Sequence, residues 1–251
     1  MNTLTGLVNK VLNLSFVKSF AVKFPSIYQI SVNRFSLKSF DGLPLTILLT
    51  IFAVNLAMFN ELAENIENSQ LVLSIDNYFA TVLFRIRIDS IAEVFYYFSK
   101  VGSTPIVLLI ALTAIAVFYF RKMVNYIFPL LLTMIGTSIT MILSKTYFHR
   151  IRPIDLGYYK ETMYSFPSGH AMFAISFYGL LFYVLIRQAP KHRLQWFIFA
   201  ISFILLIGFS RLYLCVHFLS DVIAGYSLGL LWLLLSISII EFKKFKSIDG
   251  M

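Results

Sequence analysis

Charge is scarce in this chain. Asp, Glu, Lys and Arg make up 13% of its 251 residues, where a soluble domain averages about 25%. That shortage excludes an ordinary water-facing globule. Acidic residues are the scarcer sign, 12 against 21 basic ones, and none precedes Asp41. In a soluble protein the formal charge of +9 would suggest nucleic acid. In a chain that is 59% hydrophobic it reads instead as basic loops beside a membrane, with no nucleic-acid partner. Cysteine is nearly absent too. Cys215 is the single one, which excludes an intrachain disulfide and a cysteine-based zinc cluster and leaves it as small packing volume. There is no internal repeat or low-complexity tract to mark a second domain.

What fills the chain is apolar. Uncharged apolar runs occupy 43–60, 103–120, 125–144, 171–186, 194–209 and 222–240. A helix needs about 20 such residues to cross a bilayer. The two shorter runs extend through Arg187 and Arg211, whose long stems snorkel to water. The expected fold is therefore all-α, a polytopic bundle of about six transmembrane helices over residues 43–241, with a cytoplasmic tail at 242–251. Residues 1–42 read as a basic amphipathic segment lying on the membrane surface. In a six-span arrangement thirteen Lys and Arg fall on the side of the termini and eight on the other. Three of those eight sit in the polar clusters described next. Both termini are thus expected in the cytoplasm, with the clusters facing outward. The loop at 61–102 is expected to carry one surface helix over 75–98.

Three short polar clusters stand at the edges of these runs, where charge costs least and still reaches a lipid headgroup. The first is Lys145-x6-Arg152-Pro153. Lysine brings a compact charge and arginine a planar fork for two phosphate oxygens; taken alone, the pair also reads as snorkelling cations. The second is Pro167-Ser168-Gly169-His170, just before an apolar run. Ser168 suits an N-cap, Gly169 admits close approach to backbone, and free N–H groups at a helix start favour an anion. His170 would then be a general acid, or merely an interfacial histidine. The third is Ser210-Arg211-x5-His217-x3-Asp221. If helical, the four-residue spacing puts His217 and Asp221 on one face. Carboxylate on one ring nitrogen leaves the other free as a nucleophile, although structural His–Asp pairs are common.

Together the clusters resemble the type 2 phosphatidic acid phosphatase family, the PAP2 superfamily. Its pattern K-x6-RP, PSGH and SR-x5-H-x3-D matches here at every defined position. The resemblance spans about residues 43–240. It implies His217 as the phosphohistidine nucleophile, Asp221 as its orienting partner and His170 as the acid for the leaving group. It also implies that Lys145, Arg152, Ser168, Gly169 and Arg211 hold the phosphate, with no metal and no other cofactor. The family includes soluble vanadate-binding haloperoxidases, but six spans fit its lipid phosphatases. His149 and Arg150 lie in the variable stretch of the first motif; either could touch substrate, but the pattern defines neither position. Tyr158, Tyr159, Tyr164 and Phe166 could flank a headgroup, and an aromatic belt is the favoured reading of them.

The expected activity is hydrolysis of a lipid phosphomonoester or pyrophosphate, with the tail kept in the bilayer. In a bacterium the site would open on the outer face of the plasma membrane. The resemblance there suggests undecaprenyl pyrophosphate, phosphatidylglycerophosphate, phosphatidic acid or a lipid A phosphate. Undecaprenyl pyrophosphate comes first, because an outer site suits carrier-lipid recycling. A transporter would carry charges inside its spans; here they gather at one edge. A lipid phosphotransferase is the closer competitor, since an acceptor other than water can resolve a phosphohistidine. Oligomeric state is left open.

Overall fold

The computed structural model describes residues 43–66 and 68–249, besides residues 17 and 22–25. The amphipathic segment expected at 1–42 lies almost wholly outside these. Among the described residues the structure is helical, with no strand. The helices are α1 (Leu43–Asn65), α2 (Gln70–Ile86), α3 (Asp89–Ser99), α4 (Thr104–Phe120), α5 (Ile127–Phe148), α6 (Gly169–Phe173), α7 (Gly179–Gln188), α8 (Arg193–Tyr213) and α9 (Leu219–Asp249). A π-helical turn, Ala174–Tyr178, joins α6 to α7, so the two form one continuous span. The chain divides into two compact units, residues 52–240 and residues 1–51 with 241–251.

Among the described residues, five helical stretches are long and apolar enough to cross a bilayer. They are Pro44–Asn65, Val124–Phe148, Gly169–Gln188, Pro190–Tyr213 and Leu219–Lys243. The sixth expected span is more complicated. At 103–120 the helix is 17 residues long, and it counts as a crossing only together with Asp89–Gly102, from which it is bent by 48°. The bend falls at Ser103–Thr104–Pro105, where proline suits a helix start but cannot continue one. The single surface helix expected at 75–98 is two helices. They break at Arg87 and Ile88, both extended, and Ser69 caps the first by accepting from the Val72 N–H at 3.5 Å.

Within residues 52–240, the span from Gly169 to Gln188 lies at the centre. Phe173, Phe177 and Leu180 are buried there with Val107, Leu130 and Ile207. Large apolar side chains such as Leu109, Leu112, Ile135, Ile139, Phe197 and Ile198 point outward, as a lipid-facing surface requires. Lipid tails give packed helices no hydrophobic incentive to associate, so small and polar contacts carry more of the specificity. Three hydroxyl-mediated contacts supply it: Thr133 with Ser236 at 2.6 Å, Thr137 donating to Ser176 at 3.0 Å, and the Trp232 indole N–H donating to Thr140 at 3.0 Å. They tie α5 to α9 and to the central span. The antiparallel run of α5, α6–α7, α8 and α9 brings the end of α5, the start of α6, the end of α8 and the start of α9 to one end of the bundle.

Candidate active site

All three motifs meet at that end. Lys145 lies in the last turn of α5 and is buried, its ammonium donating to the Tyr164 carbonyl. His149 ends the helix in a left-handed conformation (φ 48°), and the chain enters an irregular loop to Ser168. Arg152 is held in that loop by three carbonyls. Its Nε donates to Met163 at 2.8 Å, Nη1 to Val216 at 2.5 Å and Nη2 to Tyr164 at 3.4 Å. Ser168 stands at the N-cap of α6 but makes no capping bond with its side chain. Its backbone N–H instead donates to the Asp221 carbonyl at 3.0 Å, fastening the second motif to the third.

The third motif departs from the expected geometry. His217 is not on a helix; it lies in the turn between α8 and α9. Asp221, in the first turn of α9, folds its carboxylate back and accepts the Phe218 N–H through Oδ2 at 2.8 Å. This is the reach-back half of a helix-capping arrangement. The same oxygen lies 3.3 Å from His217 Nδ1 and accepts from the Ser165 hydroxyl. A turn and a cap, rather than a shared helical face, thus make the pair. On the other side of the ring, Nε2 is 3.1 Å from Arg152 Nη1. Burial, and then the charges of Arg152, Arg211 and Lys145, hold the His217 imidazole well below its usual pKa. The ring is therefore neutral near pH 7, with Nδ1–H directed at Asp221 and a lone pair on Nε2.

A cavity of about 150 Å³ is lined by Lys145, Arg152, Glu161, Gly169, His170 and His217, with Gly102 and Met141 among its apolar neighbours. Arg211 is fully buried beside it. Its Nη2 donates to Glu161 at 2.8 Å and Nη1 to Ser99 at 3.2 Å, while its guanidinium lies over the Tyr159 ring at 5.6 Å. Burial raises the Tyr159 phenol above its usual pKa, so it stays protonated and donates to Glu161 at 3.1 Å. Among the described residues, two buried side-chain polar atoms have no hydrogen-bond partner: Ser168 Oγ and Arg211 Nε. Both belong to residues of the motif set. That set fits an anion: two arginine forks, one ammonium, one spare hydroxyl and the opening turn of α6.

Several participants were not among the expected site residues. Glu161 puts a carboxylate among the cations. Arg150 is buried and bonded to Asp221, at 2.6 Å from Nη1 to Oδ1. Asp76, on α2, receives the other end of that guanidinium at 2.7 Å. The only signal in the sequence was the doubled arginine, Arg150 and Arg152, within the first motif. The aromatics divide. Phe166 is wholly buried, packed against Phe59 and Phe148, so it belongs to neither a belt nor a headgroup wall. Tyr164 is exposed and meets the His149 ring edge-on. Cys215 is buried in a left-handed turn (φ 52°), a packing position as expected.

The family model described as the PAP2 superfamily matches residues 126–245. Phosphatidylglycerophosphatase B of Bacillus subtilis is 34% identical over 164 residues, covering 64% of this chain and 80% of that protein. An undecaprenyl-diphosphatase of Sulfolobus acidocaldarius is 36% identical over 104 residues, 41% of this chain and 47% of that one. Among solved structures, a transmembrane PAP2-type phosphatidylglycerolphosphate phosphatase from Bacillus subtilis superposes with a TM-score of 0.68 at 29% identity. The match covers 79% of this chain and 96% of that one. Aquifex aeolicus LpxE gives 0.56 at 25% identity, over 68% and 98%. With its apolar spans and its three motifs gathered in one cavity, this chain belongs to the PAP2 superfamily, among the membrane-embedded lipid phosphatases.

Proposed function

We propose that the protein hydrolyses a lipid phosphate ester through a phosphohistidine on His217, without a metal. One observation carries the reading: His217 sets Nδ1 against Asp221 and Nε2 beside Arg152, in a cavity shared with His170 and Lys145. The Nε2 lone pair attacks phosphorus, and the bond from phosphorus to the lipid oxygen breaks. His170 gives a proton to that oxygen. Asp221 stabilises the phosphoimidazolium through Nδ1–H. His170 then takes a proton from water, whose oxygen attacks phosphorus and releases His217. Lys145, Arg152 and Arg211 offset the equatorial charge, as magnesium does in kinases, and Ser168 Oγ, Arg211 Nε and the Gly169 backbone supply further donors.

The substrate reading weighs two likenesses. An outward-facing site favours undecaprenyl pyrophosphate, and the relative from Sulfolobus has a diphosphatase name. The more extensive likeness is to phosphatidylglycerophosphatase B, so we put a phosphatidylglycerophosphate-type monoester first and the diphosphate second. The outer face of a bacterial plasma membrane remains the proposed side, on the balance of basic residues. The test is phosphate release by detergent-purified protein in EDTA, from phosphatidylglycerophosphate, undecaprenyl pyrophosphate, phosphatidic acid and a lipid A phosphate. Release from the first at the highest kcat/KM is expected. Activity that vanishes in EDTA and returns with a divalent ion would overturn the metal-free mechanism. Orthovanadate is expected to inhibit competitively and far below the substrate KM, because its trigonal-bipyramidal adduct with Nε2 imitates the transition state.

A further inference from the structure

Behind the nucleophile the side chains form a continuous buried chain. His217 Nδ1 meets Asp221 Oδ2; Asp221 Oδ1 accepts Arg150 Nη1 at 2.6 Å; Arg150 Nη2 donates to Asp76 Oδ2 at 2.7 Å. Ser220 cross-links the far end. Its N–H donates to Asp76 Oδ1 at 2.9 Å, its hydroxyl donates to Asp76 Oδ2 at 2.5 Å, and it accepts from Arg150 Nη1 at 2.7 Å. The Phe218 ring covers the guanidinium at 4.5 Å. Asp76, Arg150, Ser220 and Asp221 are all buried.

We propose that Arg150, anchored by Asp76 of α2, is a positioning residue for the nucleophile, fixing Asp221 so that its second oxygen orients His217. This rests on the reading of His217 as nucleophile. The geometry points to it because the two carboxylate oxygens of Asp221 have separate duties. Oδ1 is given to Arg150, and Oδ2 faces His217, Ser165 and the Phe218 N–H. A carboxylate free to rotate would lose the aim on Nδ1, and with it the tautomer that leaves Nε2 open. Arg150 also balances the charge of an otherwise fully buried anion. The groups facing His217 are Lys145 from α5, Arg152 and Glu161 from the loop, His170 from α6, Arg211 from α8 and Asp221 from α9. Asp76 and Arg150 act on it only through Asp221.

Removing the guanidinium leaves Asp221 uncompensated towards His217, which makes the imidazole easier to protonate. Arg150→Met in the full-length detergent-purified protein is therefore expected to lower kcat by about 10- to 100-fold, as loss of an orienting partner does, with KM changed little. The acid limb of kcat should move to higher pH. Combined with Asp221→Asn, Arg150→Met should add almost nothing beyond the single Asp221→Asn loss. A cavity of about 360 Å³ lined by Asp76, Asn77, His149, Arg150 and Phe218 opens onto this network. Free guanidinium, far below denaturing concentrations, should accordingly restore activity to Arg150→Ala. Unchanged kcat, or losses that simply multiply with no shift of the acid limb and no rescue, would overturn the proposal. If Arg150→Met fails to fold, Asp76→Asn decides: a lower kcat at little-changed KM supports it, and a wild-type profile overturns it. His217→Ala run alongside separates the two ideas. Turnover surviving that change removes the nucleophile itself, whereas a dead His217→Ala beside a normal Arg150→Met removes only the positioning role.

Discussion

Replacing His217 by alanine is expected to abolish turnover, with a loss of at least about 10⁴-fold, because a nucleophile and its partners act as one unit. Folding should survive, since the ring lies in a turn and its removal leaves Asp221 still accepting from Phe218 N–H, Ser165 and Arg150. Rapid quench with labelled substrate should show an acid-labile, base-stable phosphoenzyme in wild type and none in His217→Ala. A variant retaining even a few per cent of activity would remove His217 as the attacking group. The pH dependence has a defined sign. An unfolded histidine takes up a proton near pH 6.5, whereas His217 is held well below that by burial and by Arg152, Arg211 and Lys145. Between the two values the unfolded chain binds more protons, so acidification below about 6.5 costs stability. The native imidazole stays neutral over the same interval, so the acid limb set by His217 should lie well below pH 6.5.

The motif residues were legible in the sequence because their spacing is local and their chemistry is costly at a membrane edge. Lys145, Arg152, His170 and His217 line one cavity as that reasoning anticipates. What joins them was not legible. Arg150 and Asp76 are 74 positions apart, and neither belongs to a spacing rule; only the meeting of α2 with the loop after α5 and the start of α9 makes them a pair. The helical-face argument for His217 and Asp221 reached the right neighbours by the wrong route. Four residues can be brought together by a helical turn or by a cap, and the Asp221 carboxylate chose the Phe218 N–H. The expected surface helix at 75–98 failed for a related reason. Apolar residues recur on both sides of the break, at Val82, Leu83, Ile86, Ile88 and Ile91, so periodicity held no sign of it. The break has local partners in the fold: Arg87 Nη1 donates to the Leu156 carbonyl at 2.7 Å, and the Ile88 N–H donates to the Tyr213 hydroxyl at 3.0 Å.

The second large effect is expected at Gly225, one turn along α9 from Asp221. Helix α9 passes so close to α6 that a Cβ built there would lie 2.6 Å from the Ser168 carbonyl oxygen and 2.9 Å from Ala171 Cβ. One turn on, a Cβ at Gly229 would meet the Met172 carbonyl at 2.5 Å. Small residues four apart are the usual means by which membrane helices approach this closely. At Gly225 the obstacles are backbone atoms and the fixed Cβ of Ala171, so the clash cannot be relieved by turning a side chain. Gly225→Val must push apart the two helices whose first turns hold Asp221 on one side and Ser168, Gly169 and His170 on the other. Overpacking of this kind costs about 1–3 kcal/mol, and a shift of about 1 Å at reacting groups can cost on the order of 100-fold in rate. Gly225→Val is thus expected to lower the melting temperature in detergent and to reduce kcat/KM by about that factor. Gly179 gives the contrast. Its added Cβ would meet only the Leu233 side chain, at 2.9 Å, well inside the membrane and away from the motifs. Leu233 can turn aside, so Gly179→Ala should keep both its kcat and a melting temperature close to wild type. Should Gly225→Val melt lower yet turn over normally, the distance between α6 and α9 would be a matter of stability alone, and the cavity would have to be held together by the Ser168 N–H to Asp221 carbonyl bond and the Arg152 clamps instead.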